Sequence, residues 1–115
     1  MRPSAETEKV KYAPFVLTDR FLLLSDQPME EKRHIFEGRV GEGWTGNGYD
    51  WTSIAQVIVA ERIPEVAGNL SFDPEAGMFS AAGSRDILEQ LASAMHAVFH
   101  DDDTIRDLLS RAEMD

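Results

Sequence analysis

Six residues, Gly46-Asn47-Gly48-Tyr49-Asp50-Trp51, tie a glycine-rich loop to the start of an apolar helix, and no other segment restricts the fold as tightly. Asn47-Gly48 tolerates positive φ, and Asp50 is placed to cap the free N–H groups of the helix that follows. Over residues 51–62, Trp51, Ile54, Ala55 and Ile58 recur at i, i+3, i+4 and i+7, one face of an α-helix, and Pro64 ends it. Further on, Phe72-Asp73-Pro74-Glu75-Ala76-Gly77-Met78-Phe79 reads as a hairpin, two β-prone runs joined by a Pro-containing turn that ends in Gly77.

The rest of the chain fills in around these two pieces. Phe15-Val16-Leu17 and Phe21-Leu22-Leu23-Leu24 flank Thr18-Asp19-Arg20, which reads as a second tight hairpin. Neither run alternates, which predicts strands that are central or covered on both faces. Ser25-Asp26-Gln27-Pro28 opens a short helix, with acids near its start, bases near its end, and Ile35 and Phe36 to dock it. Strands are expected over 69–73, where Leu70 and Phe72 alternate with polar neighbours, and over 78–82. Ser84 caps the next helix, whose stripe is Ile87, Leu88, Leu91, Met95, Val98 and Phe99. Asp101-Asp102-Asp103 starts a last helix with Ile105, Leu108, Leu109 and Ala112 inward. Residues 1–11 are polar and aperiodic, a flexible N-terminal arm, and 12–115 form a single domain. The fold class is α+β: two β-hairpins forming a mostly antiparallel four-stranded sheet, with three to four helices packed on it.

A formal charge of −10 with pI near 4.6 disfavours nucleic acid and anionic lipid; it would attract a basic protein partner, or it serves only to keep the protein soluble. The chain has no cysteine, which excludes disulfides, thiol nucleophiles and cysteine-ligated metals and suits a reducing cytoplasm. Residues 1–9 lack the apolar core of a signal peptide, and runs such as 57–60 are far too short to span a bilayer.

Several patterns imitate chemistry without supporting it. Gly41-Glu42-Gly43-Trp44-Thr45-Gly46 matches G-x-G-x-x-G, but no buried strand precedes it and Glu42 would face the phosphates, so no cofactor is expected. His96 and His100 have zinc-pair spacing, yet Ala97 stands where a metalloprotease carries its glutamate, and the neighbouring core stripe turns at least one ring to solvent. Asp101-Asp102-Asp103 lacks the later ligands and the glycine of a calcium loop. Asp73 and Glu75 flank a turn where solvated carboxylates are routine, and no serine lies in a G-x-S-x-G setting. No catalytic, cofactor or metal set emerges. Trp51 opens the apolar helix face and belongs to the core. Trp44 reads either as an exposed aromatic anchor ringed by acids or as a lid folded over the sheet.

The two opening segments together resemble the immunity protein 51 family, and the resemblance extends over about 14–115. It departs at Ser80-Ala81-Ala82, where a cysteine and an aromatic often follow the second motif. The resemblance implies a single-domain α+β protein of the cytoplasm, without catalysis or cofactor. Such a protein binds and neutralises the cognate toxin domain of a bacterial polymorphic-toxin system, a basic nuclease being one fitting partner. Candidate toxin-binding residues are Glu42, Trp44, Tyr49 and Asp50 in the glycine loop. Glu75 joins them if the second hairpin's tip lies at the same end of the sheet. The alternative is a small enzyme, or an enzyme's accessory domain, with an acidic cleft.

Overall fold

The computed structural model describes residues 11–38 and 43–112. Except for Lys11, the expected N-terminal arm lies outside the described residues.

Strands β1 (Val16–Leu17), β2 (Phe21–Ser25), β3 (Ser71–Phe72) and β4 (Met78–Ala82) form one sheet in the order β1-β2-β4-β3. All three pairings are antiparallel, so the two expected hairpins lie side by side through β2 and β4. The first turn closes where expected: the Thr18 amide donates to the Phe21 carbonyl at 2.8 Å, and the Thr18 hydroxyl oxygen accepts from the Phe21 amide at 2.9 Å. β3 is shorter than predicted. Pro64–Asn69 winds into a 3-10 turn docked by the buried Val66, leaving Ser71 and Phe72 as the paired residues.

Among the described residues, one face of the sheet is covered. Leu22 pairs with Ala81 and Leu24 with Phe79, and all four are fully buried beneath the helices. Their neighbours point the other way: Val16 pairs with Leu23 and Phe21 with Ala82, and Val16 and Phe21 are 55% and 44% exposed. Of the expected alternatives, central or covered on both faces, β2 is central, between β1 and β4, but among the described residues neither N-terminal strand is covered on two faces. β1 is an edge strand, and β2 lacks alternation because its outer positions are apolar too, not because a second layer covers them.

The short helix expected after Ser25 is two, α1 (Asp26–Glu31) and α2 (Arg33–Glu37), broken at Lys32. The break turns the Lys32 side chain toward the end of the chain, where its ammonium meets Asp102 at 2.7 Å and lies 5.0 Å over the Phe99 ring. Helix α3 (Gly48–Arg62) carries the predicted face of Trp51, Ile54, Ala55 and Ile58 into the core. Its first half is buried nearly all round. Thr52 and Ser53 there donate their hydroxyl protons to the carbonyls of Gly48 and Tyr49. Trp51 sits between Phe36 and Phe99, with ring centroids 5.5 and 5.6 Å away.

Helix α4 (Arg85–Phe99) buries its predicted stripe, with Ile87 partly covered. Ser84 occupies the N-cap position but its side chain makes no capping bond, correcting that expectation; its carbonyl accepts from Leu88 as the helix begins. Helix α5 (Asp102–Leu109) starts as expected, with the Asp101 carboxylate accepting from the Thr104 amide at 3.2 Å. Ile105, Leu108 and Leu109 are buried and Ala112 packs against them.

Candidate functional site

The loop entering α3 is held by two side chains acting in opposite directions. Asn47, the N-cap residue, accepts from the Asp50 amide at 3.0 Å. Asp50 then reaches back, and one carboxylate oxygen accepts from the Thr45 and Gly46 amides, both at 2.7 Å. The arrangement is a capping box extended one turn backwards: the third helical residue satisfies donors of the loop, and the cap satisfies the helix. Asp50 is therefore not the cap that its position suggested. It is 5% exposed and staples the loop, an acid consumed internally and closed to a partner.

Gly46 supplies the positive φ, +82°, that Asn47-Gly48 was expected to supply. Gly48 is helical and is needed for another reason. Its amide donates to the Ala76 carbonyl at 3.1 Å, and a Cβ there would lie 1.9 Å from the Glu75 carbonyl oxygen and 2.3 Å from that of Met78. Only a glycine lets the second hairpin's tip sit on the helix N-terminus. That tip is a two-residue turn, Ala76-Gly77, closed by reciprocal amide–carbonyl bonds between Glu75 and Met78 at 2.8 and 3.1 Å. The two segments that single this chain out thus interlock, and they bring the tip carrying Glu75 to the end of α3 that carries Tyr49.

Of the candidate contact residues, Tyr49 is 47% exposed and Glu75 is exposed. Trp44 is 3% exposed and belongs to the core, which corrects its reading as an exposed anchor. It forms one wall of a shallow cleft of about 330 Å³ with Arg33, Glu37 and Thr45. Glu42 lies outside the described residues, as does the start of the G-x-G-x-x-G pattern. The geometry therefore brings the backbone of Glu75 beside Gly48, the residue before Tyr49, while Trp44 and Asp50 are buried.

Residues 16–114 match the family model described as immunity protein 51. The chain belongs to that family. Among curated proteins and among solved structures, nothing matches significantly. In this family member the matched span holds the whole sheet and every helix from α1 to α5.

Elsewhere several titratable groups make contacts between elements. The His96 and His100 rings meet edge to face at 4.6 Å, and His100 Nε2 lies 2.9 Å from the Ala13 carbonyl oxygen. Burial, aided by the neighbouring His100, holds His96 below the usual imidazole range. Among the described residues no cluster of three or more histidines and acids is set to hold a metal. Arg111 bridges α3 to the chain end through both Glu61 oxygens, at 2.7 and 2.9 Å, and meets Asp107 at 3.0 Å. Its hydrogen bonds hold both carboxyls below their ordinary range, and Lys32 does the same for Asp102. No described helix is long and apolar enough to cross a membrane. Sequence reasoning missed the outer sheet face with Val16, Phe21 and Leu23; the missing alternation in 21–24 was the signal, read as burial instead.

Proposed function

We propose that this immunity protein neutralises a cognate toxin domain by binding it, with no chemistry of its own, in the cytoplasm of the cell that makes both. The observation that carries this reading is the family match across 16–114. The net charge of −10 supports a basic partner, and a nuclease is a fitting class because its own substrate is polyanionic. Tyr49 and Glu75 are the contact residues favoured at the hairpin-tip end, with Glu42 beside them in sequence order and Trp44 and Asp50 supporting the loop. An exposed tyrosine next to the helix start on which the Glu75-bearing tip sits suits a protein interface, where aromatic anchors carry most of the affinity.

Co-expression tests the function. The C-terminal domain encoded by the reading frame directly upstream should arrest growth when produced alone and be tolerated when this chain is produced with it. The purified pair should associate more slowly as salt shortens the screening length below about 10 Å. A chain that neither rescues growth nor binds is not a neutraliser of that domain. Association rates flat across low and moderate salt assign the acidity to solubility alone.

A further inference from the structure

The same pairing that builds the core leaves a second apolar surface. On the outer face of the sheet, register sets Val16 beside Leu23 and Phe21 beside Ala82, with Met78 opposite Ser25. None of these positions is charged, in a chain whose net charge is −10. The described large apolar side chains that stand exposed are Val16, Phe21 and Tyr49. Two of them lie on this face, and Tyr49 follows Gly48, whose amide is bonded to the hairpin tip at its end.

The rim tells what kind of partner fits. Asp73 pairs with Ser80 and Glu75 with Met78, so the period-two alternation carries both carboxylates to the outer side at one edge. At the opposite end Arg20 stands in the β1–β2 turn, and Asp19 is drawn to Arg85 at 3.3 Å. An uncharged apolar centre bordered by acids along one edge matches a partner offering an apolar anchor with lysine or arginine on the matching side. A second copy of the chain would bring two surfaces of the same net sign together, which the charge opposes.

We propose that the outer face of the sheet, centred on Val16, Phe21 and Leu23 and bordered by Asp73 and Glu75, is the docking surface for a basic toxin domain. The inference rests on the toxin-neutralising reading and extends the contact from the hairpin tip across the open strands.

The absence of cysteine makes a direct test clean. Single variants Phe21→Cys and Val16→Cys, with Ala97→Cys on α4 as a control, are labelled with a maleimide, alone and with saturating C-terminal domain from the upstream reading frame. Labelling at positions 16 and 21 should slow at least tenfold in the complex while position 97 is unchanged. Phe21→Glu should weaken the dissociation constant about 100-fold with an unaltered melting curve, as loss of a central anchor does. If Phe21→Glu disturbs folding, Phe21→Ser and the labelling rates carry the test. Wild-type binding with undiminished labelling at position 21, or with full affinity in a folded Phe21 variant, overturns the docking surface and leaves the neutralising function standing. A wild-type dimer that Phe21→Glu splits without changing toxin affinity makes the face a self-interface and also overturns it. Failure of the wild-type chain to bind at all removes the function and the surface together.

Discussion

Leu23 and Leu24 are neighbours in one strand and carry the same side chain, yet they do different work. Leu24 is fully buried opposite Phe79 under the helical layer. Leu23 points outward between Val16 and Ser80 and is only partly covered. The inner face explains itself through folding, since burying an aliphatic side chain contributes about 2 kcal/mol. Nothing among the described residues covers the outer face, so its apolar side chains contribute little to the fold. A surface kept apolar without a folding reason is available to a partner.

Substitutions can break this contrast. The largest effect is expected beneath the covered face: Trp51→Ala should cost about 4 kcal/mol by emptying the site between Phe36 and Phe99. Trp51→Phe should cost far less, because the buried indole N–H has no acceptor among the described residues. The adjacent pair gives the sharpest control. Leu24→Ala should lose about 3 kcal/mol in urea unfolding, and Leu23→Ala less than about 1 kcal/mol. Equal losses would mean that the outer face is covered after all.

The loop offers a second contrast, between a staple and a cap. Asp50→Ala strands two loop amides and should cost about 2 kcal/mol, whereas Asn47→Ala removes one capping acceptor, about 1 kcal/mol. The order reverses if Asp50 is the cap, as its position in the sequence suggested. Thermal melts of the two variants decide between them.

The smallest effects are in pH dependence, and they belong to the helical layer. His96 has its pKa lowered from 6.5, so the unfolded chain takes up this proton before the folded protein does. Stability should therefore decline as pH falls below 6.5, and His96→Gln should flatten that slope. Asp102 is likewise lowered from 3.8, so its contribution is fully present above that value and is lost as pH falls through the folded value below it. Asp102→Asn should flatten only this more acidic limb. Neither group touches the outer face, so Phe21 variants should keep both limbs unchanged in denaturant titrations.

Much of this was legible in the residues themselves. The helices of 51–62 and 85–99 announce themselves by apolar spacing, and Thr18-Asp19-Arg20 and the turn ending in Gly77 by turn chemistry, because each signal is contained within a few consecutive residues; only the structure shows that the second turn leaves Pro74 outside it. The candidate site was less legible. Tyr49 and Glu75 do lie at one end, but Trp44 proved buried and Asp50 a staple, since a side chain's exposure depends on what folds against it from elsewhere. Gly48 shows the same limit: its need for no side chain arises from carbonyls of Glu75 and Met78, which a local reading assigns only to a hairpin.

Sequence alone determined the two long helices, the two antiparallel hairpins, the acidic balance and the family, all properties of local pattern or of composition. Tertiary structure decided which face of the sheet the helices cover. In 21–24 both faces are apolar, and a strand with two apolar faces carries no mark of which one will be buried. That choice was made by α3 and α4 packing onto β2 and β4 from one side, and it left Val16, Phe21 and Leu23 facing out.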